Sequence, residues 1–401
     1  MRGDFMFIAK LKSGKIISIL HSSEEVIDEL KKKGPFYCPS CKQELILKRG
    51  KLKMAHFAHK TTCIIKPEGE TESHLLGKKK LFHWLQRQGF HPRLEAYISE
   101  FKQRPDLLFK WKERQAVIEF QCSVIPSEEI LKRTSTYLKH HFYPIWIIHD
   151  SLLRKSSFTI HLNHFISQLI FHKKNKAAII SFHPQNEEFI VYQSIIPFST
   201  NRALTIANKY SFNETFDTIF EIKPRRVNFL PYWITVSESW LIQRSILPGA
   251  RKNRFLQFLY QRNLHPINLP WEIGIPLPQM HLVETPPFEW QFYIWYFFLY
   301  TKNIGTVIQK DELSRCMFHK LNQYVRFRPY PFITAREKFQ PFENYVSFLT
   351  SLGFFKVMGD KLIVKQKPKL LSNGSIDRKR RKQAYYFKNK ERILRFFYLT
   401  D

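Results

Sequence analysis

The stretch RPDLLFKWKERQAVIEFQCS, residues 104–123, reads as two apolar strands joined by a polar turn, with a carboxylate in each. Desolvating an unpaired charge is costly, so strands that bury their side chains usually exclude acids. In the second strand Glu119 and Gln121 alternate with Ile118, Phe120 and Cys122, which puts the two polar residues on one face. Asp106 opens the neighbouring antiparallel strand, and the hairpin brings it close to Glu119. Two carboxylates in such proximity repel, and one takes up a proton unless a divalent cation lies between them. Hard oxygen donors suit Mg2+ or Mn2+, ions that keep waters in their shell. Such an ion polarises a phosphodiester and acidifies an attacking water. Gln121 is then placed to orient that water or a phosphate oxygen. The competing reading is a pair of half-exposed acids bridged to Arg104 or Lys110.

Working outward, TESHLLGKKKLFHWLQRQG (residues 71–89) spaces Leu75, Leu76, Leu81, Phe82 and Leu85 as a helix, with Gly89 as its stop. HPRLEAYI (91–98) reads as a strand, and its Glu95 is either a further site acid or a surface charge. Ser127, followed by Glu128 and Glu129, opens a second helix, and YPIWIIHD (143–150) is a closing strand. The predicted order over residues 67–155 is α-β-β-β-α-β. Upstream, residues 1–66 start with an alternating hairpin around Ser13-Gly14 and end in a Cys/His cluster. Cys38-x2-Cys41 and His56-x2-His59 are the thiolates and imidazoles that tetrahedral Zn2+ prefers, and a structural zinc ribbon is the expectation. Cys63 is a spare that can replace a histidine. The alternative is ordinary polar histidines beside a small buried cysteine pair.

The core order, with Pro105-Asp106 and Glu119-Phe120-Gln121, resembles the PD-(D/E)xK nuclease superfamily, with glutamine in place of its lysine. That resemblance implies a further acid from the first helix, where Glu72 stands, and Lys78 as a compensating ammonium. It also gives Arg133-x3-Tyr137 on the second helix a part in shaping the site and in binding DNA. Together, YCPSC…HFAH, the E-S-H-x3-K helix, RPD and IEFQCS resemble the competence protein CoiA family, strongly over residues 1–150 and loosely beyond. The resemblance implies a cytoplasmic, nuclease-like protein acting on incoming, single-stranded DNA during natural transformation, with recombination proteins as possible partners.

The net charge of +30 points independently to a polyanionic partner. Residues 156–401 are predicted to begin with a helical stretch and a hairpin (KAAIISF, EEFIVYQSII), then to be mainly α-helical and basic. FEWQFYIWYFFLY (288–300) is too short to span a bilayer and reads as a buried helix. A helix and hairpin around Gly359-Asp360, with a possible helix before them at 309–325, fit a winged-helix-like unit. Arg378, Lys379, Arg380, Arg381 and Lys382 form a basic run beside Tyr385, Tyr386 and Phe387, suited to phosphates and unpaired bases. A solvated amphipathic helix explains that run equally well. Five cysteines and no secretory signal fit a reducing cytoplasm. Two functions emerge: a Mg2+- or Mn2+-dependent deoxyribonuclease, or a noncatalytic DNA-binding recombination mediator on an inactive nuclease fold.

Overall fold

Alternation along the strand Arg114–Gln121 sends Ala116, Ile118 and Phe120 to one face of a sheet and Val117 and Glu119 to the other, and a helix covers each face. The helix Glu72–Arg87 packs Leu75, Leu81, Trp84 and Leu85 on the first face. The helix Ser127–Lys139 sets Ile130 and Tyr137 on the second. Gly77 permits the first contact: a Cβ there would lie 2.0 Å from the Phe120 ring. Thr71 caps that helix by accepting the His74 N–H at 3.3 Å.

The computed structural model describes residues 5–50, 54–60, 71–173, 175–223, 225–246, 252–310, 321–371 and 378–398. The strand Leu107–Trp111 pairs antiparallel with Arg114–Gln121, Leu107 opposite Ile118, and Lys112 turns the hairpin at a φ of +54°. Tyr143–His149 runs parallel on the other side, with Trp146 opposite Glu119. Helix, three strands, helix and strand thus follow in the predicted order. The strand predicted over 91–98 shrinks to Arg93–Leu94, because Glu95 leaves the extended region (φ +49°).

The sheet runs on past residue 155. Lys176–His183 pairs parallel with Tyr143–His149, and Glu188–Ser199 and Arg202–Ser211 follow antiparallel. Thr159–His161 and Lys155–Ser156 complete that end, for ten strands in all among the described residues. The predicted hairpin is therefore part of the core sheet, and the mainly helical portion begins after residue 211. Parallel pairing across a long connection leaves no local signature in the sequence.

Residues 5–59 form a separate antiparallel sheet of six strands, including the hairpin Ile8–Leu11 and Ile16–Ser18 with Gly14 at a φ of +88°. In the C-terminal portion Trp233, Trp290, Trp295, Phe342 and Tyr345 centre a core shared by the helices Leu230–Ile246, Pro287–Trp295 and Gln340–Ser351. Ile196, Phe198 and Leu204 bring the far strands of the sheet into it. The hairpin Phe355–Met358 and Lys361–Val364 turns at Gly359, and Val307–Gln309 adds a third strand. Most of the helix predicted at 309–325 lies outside the described residues. Among the described residues no helix is long and apolar enough to cross a membrane.

Candidate functional site

One step beyond the Leu107–Ile118 pair, the hairpin register sets Asp106 opposite Glu119. Asp106 leaves the ladder there. Its Oδ2 accepts the Phe120 N–H at 2.9 Å and lies 3.1 Å from His74 Nε2. Glu119 faces the other way, and Arg133 and Tyr137 both donate to its Oε1. Each acid is 2% exposed. The two carboxylates are thus gripped from opposite faces of the sheet, Asp106 by the Glu72–Arg87 helix and Glu119 by the Ser127–Lys139 helix. Arg133 and Tyr137 stand one turn apart, which is why both reach the same oxygen. Burial, reinforced by the negative Glu119, pushes the Tyr137 phenol well up, so it remains a donor. The Arg133 guanidinium also lies 5.5 Å from the Trp146 ring centre.

Lys78, fully buried, is ion-paired with Glu95 Oε1. The other Glu95 oxygen accepts the Phe7 N–H at 3.0 Å, and its own N–H donates to the Asp106 carbonyl at 2.9 Å. Glu95 therefore ties together the N-terminal sheet, the first core helix and the strand that carries Asp106. The sequence left its role open, because nothing local in RLEAYI distinguishes a buried pairing from a solvated one. Gln121 donates from Nε2 to the Ser123 carbonyl at 2.7 Å. Glu72 is exposed in the first turn of its helix. Arg104, read as a surface partner, is buried with Nη1 3.2 Å from Met6 Sδ and 3.8 Å from Cys38 Sγ.

Among the described residues, one group of three or more His, Cys, Asp or Glu donors lies within 4.8 Å of one another: Cys38, Cys41 and His59. Glu72, Asp106 and Glu119 do not form such a group. The Cys38–Cys41 loop closes through Lys42 N–H to Cys38 O at 3.0 Å, with Lys42 at a φ of +62°. Register does the rest. Leu45 opposite His59 brings the imidazole to the knuckle, with Nε2 3.2 Å from Cys41 Sγ. His56, expected as a fourth ligand, is not in the group. Three residues along a strand is about 10 Å and a change of face. Its Nδ1 instead lies 2.9 Å from the Met54 carbonyl, and its ring 4.1 Å from Phe5. Cys63 lies outside the described residues.

The basic C-terminal run divides by helical face. On the helix Arg378–Lys388, Arg378 and Lys382 turn inward to Glu238, Arg378 Nε at 3.0 Å and Lys382 Nζ at 2.7 Å. Burial works to raise the Glu238 carboxyl, but Lys382 and Arg378 outweigh it and hold it below the ordinary range. Lys379, Arg380 and Arg381 are exposed.

No solved structure matches this chain. The competence protein CoiA of Bacillus subtilis (strain 168) is 27% identical over 346 residues, 84% of this chain and 91% of that protein. Residues 19–66 match the N-terminal domain of competence protein CoiA, 70–224 its nuclease-like domain and 231–375 its C-terminal domain. The nuclease-like match, ending at 224, takes in the last long strand of the ten-stranded sheet, Arg202–Ser211, and the short helix Phe216–Phe220 after it. With its three parts in register with three domains of one family, the chain belongs to the competence protein CoiA family and carries that family's nuclease-like domain.

Proposed function

We propose that this protein hydrolyses DNA phosphodiester bonds on a PD-(D/E)xK core, acting on incoming single-stranded DNA on its way to recombination. The observation that supports this most is two buried acids, Asp106 and Glu119, at facing register positions where paired strands end, in a chain of net charge +30. The donor set fits Mg2+ or Mn2+, which need only one or two protein carboxylates and take their other ligands from water and phosphate. Asp106 and Glu119 would share the ion once Glu119 is released from Arg133 and Tyr137, whose helix covers the face opposite the one from which His74 holds Asp106, and Glu72 would swing in as third acid. Such an ion supplies Lewis-acid polarisation and an acidified water. His74 and the Phe120 N–H orient Asp106, and Arg133 and Tyr137 orient Glu119. Gln121, on the Glu119 face, supplies an amide for the water or a phosphate oxygen. We further infer Zn2+ at Cys38, Cys41 and His59, a set that matches its thiolate and imidazole preference, bracing the N-terminal sheet beside Arg104.

Labelled single-stranded and duplex DNA incubated with Mg2+ or Mn2+ tests the reading. The wild-type protein should cut, and Asp106→Ala or Glu119→Ala should abolish cutting while binding persists. Cleavage that survives both substitutions removes the assigned site. One observation favours a second reading, the noncatalytic mediator. Lys78 is committed to Glu95 and Gln121 stands where the PD-(D/E)xK pattern has lysine, so neither position offers a ready ammonium to steady a pentavalent phosphate. DNA binding with no cutting by any metal selects that reading.

A further inference from the structure

We propose that a basic cleft between the helix Lys390–Tyr398 and residues 226–231, with Phe387 at its rim, is a preformed binding groove for single-stranded nucleic acid. It shares with the reading above only the class of partner and does not depend on catalysis. The cleft has a volume of about 980 Å3, and its lining includes four cations, Arg226, Lys390, Arg392 and Arg395, against one acid, Glu391. A second hollow of about 470 Å3 adjoins it through Asn228 and Lys390, and adds Arg380 and Phe387. Among the described residues none of these five cations is in an ion pair, whereas Arg378 and Lys382 on the inner face are neutralised by Glu238.

The walls are fixed without a ligand. Tyr398 donates its hydroxyl to the Val227 carbonyl at 2.9 Å and accepts the Val227 N–H at 3.0 Å. Phe397 packs edge-on against Phe229 at 4.7 Å, and Phe396 against Phe348 at 5.6 Å. A groove held open in this way spares a ligand the cost of ordering it. Unneutralised cations gathered in a concavity attract a phosphate chain and release its counterions. Phe387, 81% exposed, decides which chain. A phenyl ring standing in water beside cations offers a stacking platform, and only an unpaired base can present its face to it. Duplex hides its base faces, and an anionic bilayer presents a plane that a concave site does not match.

The test is fluorescence anisotropy with the full-length protein and a labelled 30-nucleotide oligothymidylate, without divalent metal so that nothing is cut. The triple substitution Arg226→Ala, Arg392→Ala, Arg395→Ala should weaken binding at least tenfold and lower the log–log salt slope by about 2, at roughly 0.7 for each phosphate no longer neutralised. Phe387→Ala should weaken it about tenfold with the slope unchanged. All four side chains are exposed, and an unaltered thermal transition verifies folding. Oligothymidylate affinity unchanged in both variants overturns the proposal, as does equal loss of duplex and single-strand binding in Phe387→Ala. Binding to phosphatidylglycerol vesicles that alone depends on these residues also overturns it. Asp106→Ala separates the two readings. If the wild type fails to cut but the cleft variants lose binding, the groove stands and the nuclease falls. If cutting depends on Asp106 and the cleft variants bind normally, the groove falls alone.

Discussion

Glu119 is tolerated in a buried strand because two donors on one helix satisfy it. Tyr137→Phe deletes one donor and keeps the ring in place. Leaving a buried acceptor short of a partner costs about 1–3 kcal/mol. Urea denaturation should show a loss in that range, and no loss would mean that Glu119 does not need the Tyr137 hydroxyl. The grouping of Cys38, Cys41 and His59 is set by atoms just as local. For the proposed zinc site, elemental analysis should find about one zinc per chain, the content of a single tetrahedral centre. The double change Cys38→Ser, Cys41→Ser should remove it, and zinc retained at full occupancy would refute the site. The types of these residues were legible in the sequence, but their partners were not. Cys38-x2-Cys41 announces itself by spacing, whereas the choice of His59 over His56 follows from which face of a strand meets the knuckle.

At the scale of elements, Gly77 shows how one missing Cβ sets a helix on a sheet. Ala in place of Gly inside a helix normally stabilises by about 1 kcal/mol. Here the added Cβ would meet the Phe120 ring at 2.0 Å, and overpacking costs about 1–3 kcal/mol. Gly77→Ala should therefore lower the thermal midpoint, and a raised midpoint would show that the helix shifts freely. The basic helix Arg378–Lys388 gives a second contrast. Lys382→Met leaves Glu238 buried with only Arg378, and breaking a buried pair costs about 3–5 kcal/mol, whereas Arg381→Met on the exposed face should cost under about 0.5 kcal/mol. Equal effects in denaturant melts would contradict the division of faces. The periodicity of residues 71–89 and the alternation of 114–121 made both core elements readable. Glu95 broke its predicted strand because pairing with Lys78 and the Phe7 N–H outweighed local extension.

Across the whole molecule, the core sheet and the C-terminal portion meet at two histidines. His172, on the strand Phe171–Lys173, has its Nε2 3.2 Å from that of His281, on the turn Met280–Leu282. Burial lowers His172 from its ordinary 6.5 to about 4. Burial, then His172 and Arg328, lower His281 well below the ordinary value. Between pH 6.5 and about 4 the unfolded chain binds a proton at His172 that the folded chain largely lacks, and the lowered His281 acts in the same direction. Stability is thus whole above pH 6.5 and falls with acid, by on the order of 1 kcal/mol per pH unit for His172, with His281 adding to the loss. Urea midpoints at about pH 7 and pH 5 should differ accordingly, and His281→Asn should shrink the difference. An unchanged difference would place the acid sensitivity elsewhere.

By itself the sequence determined the elements whose signals are local: the helix at 71–89, the hairpin carrying Asp106 and Glu119, the cysteine knuckle, and a charge that calls for a polyanion. Only the tertiary structure decided which donor each buried acid meets, that the sheet runs on to residue 211, and that Arg378 and Lys382 turn inward while Arg380 stays in water. The reason is range. Periodicity and spacing act within a turn or a strand, whereas the pairing of Lys382 with Glu238 joins groups 144 residues apart, which only the packed chain brings together.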